Sequence, residues 1–207
     1  MKKNTPLFCL ILIVLSCLSC NSRRYSFNSD RTFHRKKIAI LPFQIHNTIS
    51  EELPEGITID MVDKAERSKC QIIQLHLYRY LLREYAKSDR KVHLQHRDRT
   101  NEILKNKGIT YEELFELPKN KLAKILKVDA LLYGHVYQSK KKLDLDGKEK
   151  LRNKVNNSMA TVLYVYSKSK REKILWKDDR GGNGFPNDYA LDMTKNLLRK
   201  AAKEFPF

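Results

Sequence analysis

A chain of 207 residues with 41% hydrophobic and 31% charged side chains holds enough apolar material for one core, and no break in composition marks a second domain. A formal net charge of +17 would point a cytosolic chain to nucleic acid. Here the amino terminus excludes that partner by exporting the protein, and the anions left to meet are lipid headgroups, cell-wall polymer or an acidic protein patch.

Met1-Lys2-Lys3 is a short positive start, Leu7 to Leu15 is an uncharged apolar run, and a serine precedes a cysteine at Ser16-Cys17 and again at Ser19-Cys20. The run is shorter than the roughly 20 residues a helix needs to cross about 30 Å of hydrocarbon, so it reads as an export signal and not as a permanent span. A cysteine directly after a small residue resembles the lipobox of bacterial lipoproteins, in which that cysteine becomes the lipidated first residue. Val14-Leu15-Ser16-Cys17 fits the pattern better than Cys17-Leu18-Ser19-Cys20, so Cys17 is preferred and Cys20 is the alternative. An unlipidated secretory peptide or a buried amino-terminal helix is the competing reading. The expected organisation is a signal at 1–16, a tether at 17–36 and an α/β envelope domain at 37–207. Losing Lys2 and Lys3 lowers the mature charge by two, to +15.

The tether is polar and irregular, with Arg23, Arg24, Arg35, Lys36 and Lys37 as its basic marks. Lys37 to Phe43 reads as a first buried strand that changes direction at Pro42, and 44–64 as a loop over part of the core. From Ala65 to Lys87, residues Cys70, Ile73, Leu77, Leu81 and Tyr85 recur at helical spacing, the pattern of a helix lying on a sheet. With the other cysteines at positions 9, 17 and 20, Cys70 stands alone in the domain, which excludes an internal disulfide framework. It reads as a buried, inert thiol. Val92 to Gln95 alternates as a short second strand, Asp98 is placed to cap a helix ending at Gly108, and Thr110 with Glu113 has capping-box spacing.

Leu122 to Tyr137 is the organising stretch: a helix tail closed by Val128, then Ala130-Leu131-Leu132-Tyr133, apolar without alternation as in a strand buried on both faces. Strand, helix, strand, helix, helix, strand implies parallel pairing by default. Ser139 to Asn157 is a lysine-rich excursion, 158–167 and 173–177 read as an antiparallel hairpin, Gly181-Gly182-Asn183-Gly184 as a loop, and Asp188 to Glu204 as a closing helix. The fold class is therefore α/β: a three-layer-like sandwich on a mixed sheet of about five strands, parallel in its first half and antiparallel in its second.

A strand ending in LPF, a long helix, then VHLQHRDRTNEILKNKGI, then LAKILKVDALLYGHV, resembles the periplasmic module of the curli-secretion lipoprotein CsgG, the amino-terminal domain of TolB and the penicillin-binding-protein activator LpoB. The resemblance covers about Lys37 to Tyr137. It implies an envelope α/β sandwich that binds other proteins and carries no catalytic residues. Departures are plain: no hairpin long and apolar enough for a barrel strand, no room for a propeller, and a short tether.

No catalytic constellation stands out. The six histidines show no ligand spacing with a cysteine or carboxylate cluster, so no metal and no cofactor is expected. Tyr133, Tyr137, Tyr164 and Tyr166 could form an exposed aromatic platform but read more readily as packing under helices. If the chain comes into the sheet at Lys37, Lys140, Lys141, Lys142, Lys148, Lys150, Arg152 and Lys154 project away from the membrane and suit a partner. The membrane-proximal basic set is then Arg23, Arg24, Arg35, Lys36, Lys37, Lys168, Lys170 and Arg171. The function that fits is a lipid-anchored accessory protein acting by protein binding in secretion, assembly or wall maintenance, in the outer membrane facing the periplasm, with self-association open. An envelope enzyme acting on wall or lipid is the alternative.

Overall fold

The computed structural model describes residues 24–26, 36–48, 56, 58–87, 92–142, 155–169, 173–185 and 190–206. In chain order the elements are β1 (Arg24–Ser26), β2 (Lys37–Ile40), β3 (Gln44–Thr48), α1 (Ile59–Tyr85), β4 (His93–Leu94), α2 (Arg97–Asn106), α3 (Glu113–Glu116), α4 (Lys119–Leu126), β5 (Ala130–Lys142), β6 (Val155–Ser167), β7 (Ile174–Phe185) and α5 (Ala190–Lys203). Among the described residues no helix is long and apolar enough to cross a membrane.

The sheet runs β1-β7-β6-β5-β2-β4, and β3 also pairs with β5. β2 is parallel to both β4 and β5, whereas β5, β6 and β7 are antiparallel, so the mixed α/β architecture expected from the sequence is the one observed. The central strand is confirmed as well: Ala130, Leu131, Leu132 and Tyr133 are buried, and α4 closes on Lys127 in the left-handed region (φ 55), letting the Val128 N–H donate to Ala123. One face of the sheet carries Ile38, Ile40, Leu132 and Leu163 under Ile73, Leu77 and Leu81 of α1 and Leu197, Leu198 and Ala201 of α5. The other face sets Ala39, Leu41 and Leu131 against Leu104, Leu114, Leu122 and Leu126 of α2, α3 and α4. Three layers result.

Several expectations are corrected. Residues 44–48 are no loop: β3 continues the line of β2 after a bend at Leu41-Pro42-Phe43 and pairs with His135 to Ser139. The single apolar residue of QIHNT hides the strand from pattern reading. α1 begins at Ile59, not at Ala65, because the Thr58 hydroxyl accepts from the Met61 N–H. Asp98 lies in the first turn of α2, whose cap is His96. The capping box holds, with Thr110 and Glu113 bonding each other reciprocally.

Three segments read as irregular are strand. Arg24–Ser26, inside the expected tether, pairs antiparallel with β7. Lys140, Lys141 and Lys142 are the last three residues of β5, opposite Asn157, Asn156 and Val155. Gly181-Gly182-Asn183-Gly184 belongs to β7, with Gly181 opposite Ala160 and Gly182 opposite Met159. Backbone pairing wins over turn-like composition in each.

The free side of β3 is closed by side chains. Tyr111 donates its hydroxyl to the Phe43 carbonyl, and the Cys70 thiol lies 2.9 Å from the same hydroxyl. Cys70 is thus buried as expected, packed against the phenol that holds the Phe43 carbonyl. On the opposite side of the sheet, β1 covers only Trp176 to Asp178 of β7, and no described strand pairs with the outer side of β7 beyond Asp178.

Candidate binding face

Alternation along β5 sends Leu131, Tyr133, His135 and Tyr137 to one face. Helices α3 and α4 reach as far as Tyr133: the Phe115 ring lies 5.8 Å from it, and the Lys119 ammonium sits 4.7 Å from its centroid while donating to the carbonyls of Leu114, Phe115 and Leu117. Past that point the same face continues as His46, His135 and Tyr137, while Tyr164 and Tyr166 on β6 stand opposite Tyr133 and Leu131. The tyrosines therefore divide. Tyr133 packs under helices as expected, Tyr164 and Tyr166 are half-buried at the edge of that cluster, and Tyr137 leaves 43% of its surface exposed, which corrects the expectation for it.

The rings form one connected platform. His46 stacks on Tyr137 at 4.7 Å and 11°, and its Nε2 lies 2.9 Å from His135 Nδ1, one ring donating to the other. His135 meets Tyr133 and Tyr164 edge-on at 4.7 and 6.2 Å. The Lys177 ammonium lies 5.5 Å from the Tyr164 ring, and Tyr133 donates its hydroxyl to the Gln44 amide oxygen. The His46–His135 pair was invisible in the sequence because its members are 89 residues apart and His46 lay in an unrecognised strand. Only the parallel β3–β5 register joins them.

Burial, then the charges of His46 and Lys119, push His135 down to about 4. The sign follows directly. Between about pH 6.5 and pH 4 the unfolded chain binds a proton that the folded chain refuses, so this group lowers stability as pH falls through that window and contributes nothing above it. Folded-state stability of the wild type should therefore drop relative to His135→Gln by on the order of 1 to 2 kcal/mol from pH 7 to pH 4, allowing for solvent screening of a half-buried ring. Parallel pH profiles of the two urea midpoints would refute the placement of His135.

No group of three histidine, cysteine or acidic side chains that could hold a metal occurs among the described residues. The Cys70 thiol is raised by burial and held in the core against Tyr111. A shallow hollow beside α2 and α4, lined by Lys107, Glu113 and Lys121 with apolar neighbours, has its carboxylate engaged in the capping box.

The basic residues fall apart in space. Lys37 and Lys168 share one end of the sheet, where Asp129 pairs with both through backbone and side-chain hydrogen bonds, and Lys140, Lys141 and Lys142 lie at the other end of β5. Arg24 is level with Asp178, partway along β7. Arg23, Arg35, Lys148, Lys150, Arg152, Lys154, Lys170 and Arg171, like Cys17 and Cys20, lie outside the described residues.

No family model matches the chain, and no curated protein does. Among solved structures it is similar to the PelC dodecamer from Paraburkholderia phytofirmans, at 10% identity over 88% of this chain and 94% of that one, with a TM-score of 0.45. It is also similar to lipoprotein GNA1162 from Neisseria meningitidis, at 12% identity over 81% and 98% with a TM-score of 0.41. The C-terminal domain of LpoB from Salmonella enterica matches at 8% over 74% and 87%, with a TM-score of 0.39. LpoB is one of the three proteins the sequence resembles. These values are too low to transfer a role.

Proposed function

We propose that this chain is a lipid-anchored protein of the bacterial envelope that acts by binding another envelope protein, as an accessory in secretion, assembly or wall maintenance at the periplasmic side of the outer membrane. The export signal and its two serine-cysteine pairs support the location. The observation that carries binding is the sheet face beyond Tyr133, where His46, His135 and Tyr137 present rings connected to Tyr164 on β6 and Tyr137 stays 43% exposed. Rings held by a strand ladder offer area at small conformational cost, the property that enriches aromatic residues at the centres of interfaces.

The test is a photo-crosslinking residue placed at Tyr137 in cells, compared with the same residue at exposed Lys69 on α1. A discrete protein adduct from position 137, absent from position 69 and reduced at least tenfold by Tyr164→Ser, is expected. An adduct containing a second copy of this chain would make the partner a homo-oligomer. Equal adducts from both positions, or none from 137, would refute the assignment of this face. Mass spectrometry of the mature protein should find a diacylated or triacylated cysteine; an unmodified amino terminus would refute the anchor.

A further inference from the structure

We propose that the outer face of α1 is the contact surface for a second copy of this chain, the two helices lying antiparallel across a two-fold axis. The inference goes beyond the envelope reading above and does not use the ring face. Among the described residues six large apolar side chains stay exposed, and three of them, Met61, Ile72 and Leu82, are on this one helix. They are aligned. Ala65, Leu75 and Ala86 fall on the same line, and Ser68 and Arg79 complete it, every step alternating between four residues and three. The line lies about half a turn away from Cys70, Ile73, Leu77 and Leu81, the residues α1 turns to the sheet, and Leu75 belongs to neither core. A helix that only lies on a sheet needs one apolar stripe. The second one keeps the seven-residue period of paired helices for about 32 Å, at about 1.5 Å per residue, which is the pattern of a helix that meets another.

The occupant follows from what faces what. With the helices antiparallel and Ile72 opposite Leu75 of the second copy, Leu75 meets the other Ile72 in turn, because a two-fold contact repeats every pair. The same register sets Leu82 against Ala65, Met61 against Ala86 and Arg79 against Ser68. Outside the central pairs each large apolar side chain therefore meets a small one, and each guanidinium meets a hydroxyl that accepts from it. Parallel pairing would set Arg79 against Arg79 and bring two like charges together inside the seam. The line is thus matched from end to end by its own copy, and in one orientation.

The test uses the full-length chain purified in detergent micelles, compared with Ile72→Glu/Leu82→Glu, with Ser68→Asp, and with Ile174→Glu, which changes an exposed apolar residue outside α1. Sedimentation equilibrium across about a hundredfold dilution should find monomer and dimer for the wild type. Ile72→Glu/Leu82→Glu should weaken the dimer by at least about tenfold with the urea midpoint of the monomer unchanged, because each interface would bury four carboxylates without partners. Ile174→Glu should leave the dimer as it is. Ser68→Asp should tighten it about three- to tenfold, since Arg79 of the second copy gains a carboxylate twice per dimer. A photo-crosslinker at Lys64 should attach to the second copy within a turn of Arg83, and this map, made on an otherwise wild-type chain, decides the question even where a variant fails to fold. Lys69 borders the same line, so an adduct from that position would contain a second copy and not the protein captured from position 137. Monomer at every concentration, a dimer that withstands Ile72→Glu/Leu82→Glu, a dimer weakened by Ser68→Asp, or a crosslink from position 64 to its own neighbourhood in the second copy would overturn the proposal, and none of these results touches the reading of the ring face.

Discussion

Gly134→Ala should destabilise the domain by about 3 kcal/mol, the upper part of the usual range for overpacking. A Cβ at this position would collide with the Phe43 ring, whose Cδ1 would lie 2.7 Å away, and with Leu163 Cδ2 at 2.8 Å. Neither neighbour has room to retreat, since Phe43 and Leu163 are fully buried. Phe43 sits at the bend between β2 and β3, and glycine on β5 is what lets its ring lie across the sheet there. Relief should come from the ring: adding Phe43→Leu to Gly134→Ala should leave the double variant at least 1 kcal/mol more stable than the sum of the single losses. Urea midpoints of the four proteins measure this, and a loss below 1 kcal/mol for Gly134→Ala would contradict the packing described. Because Gly134 separates Tyr133 from His135, the same substitution should also lower crosslinking from position 137.

The second large effect concerns a buried ion group. Arg180 is 8% exposed and Asp178 3%; the guanidinium holds the carboxylate through Nε and Nη2 at 2.7 Å and bonds Glu204 at 2.8 Å, tying β7 to the end of α5. Removing the cation alone leaves a carboxylate without its partner in the core. Arg180→Met should therefore cost about 3 to 5 kcal/mol, whereas Arg180→Met with Asp178→Leu should recover most of the loss, because two apolar side chains need no counter-charge. A double variant as unstable as the single one would show that the group matters for its shape and not for its charge balance.

Legibility followed how much of the information was local. The helix and strand around Leu122 to Tyr137 were plain because their apolar residues repeat at the period of the element they form, and the capping box at Thr110 and Glu113 was plain because both partners lie within one turn. β3 was hidden because QIHNT has a single apolar residue and owes its pairing to β5. β7 was cut short because glycine and asparagine suit turns, yet an edge position asks little of its side chains. The binding face combined both problems. Its tyrosines could be seen in the sequence, but whether they lay under helices depended on where α3 and α4 stop, and His46 joined them only through a long-range register. The place where the chain joins the sheet was set by three residues, Arg24–Ser26, whose own pattern announces nothing.

Tyr111, with Cys70 packed against its hydroxyl, makes β3 and β7 unequal as places for a strand to add. A foreign strand adding at β3 would have to displace the phenol that already occupies the Phe43 carbonyl and the thiol packed against it. Along β7 past Asp178 it would find backbone groups without a described strand partner, beginning at Asp179 and Arg180 and running into Gly181 and Gly182. Crowded copies should therefore meet through β7 sooner than through β3, as pairs joined β7 to β7.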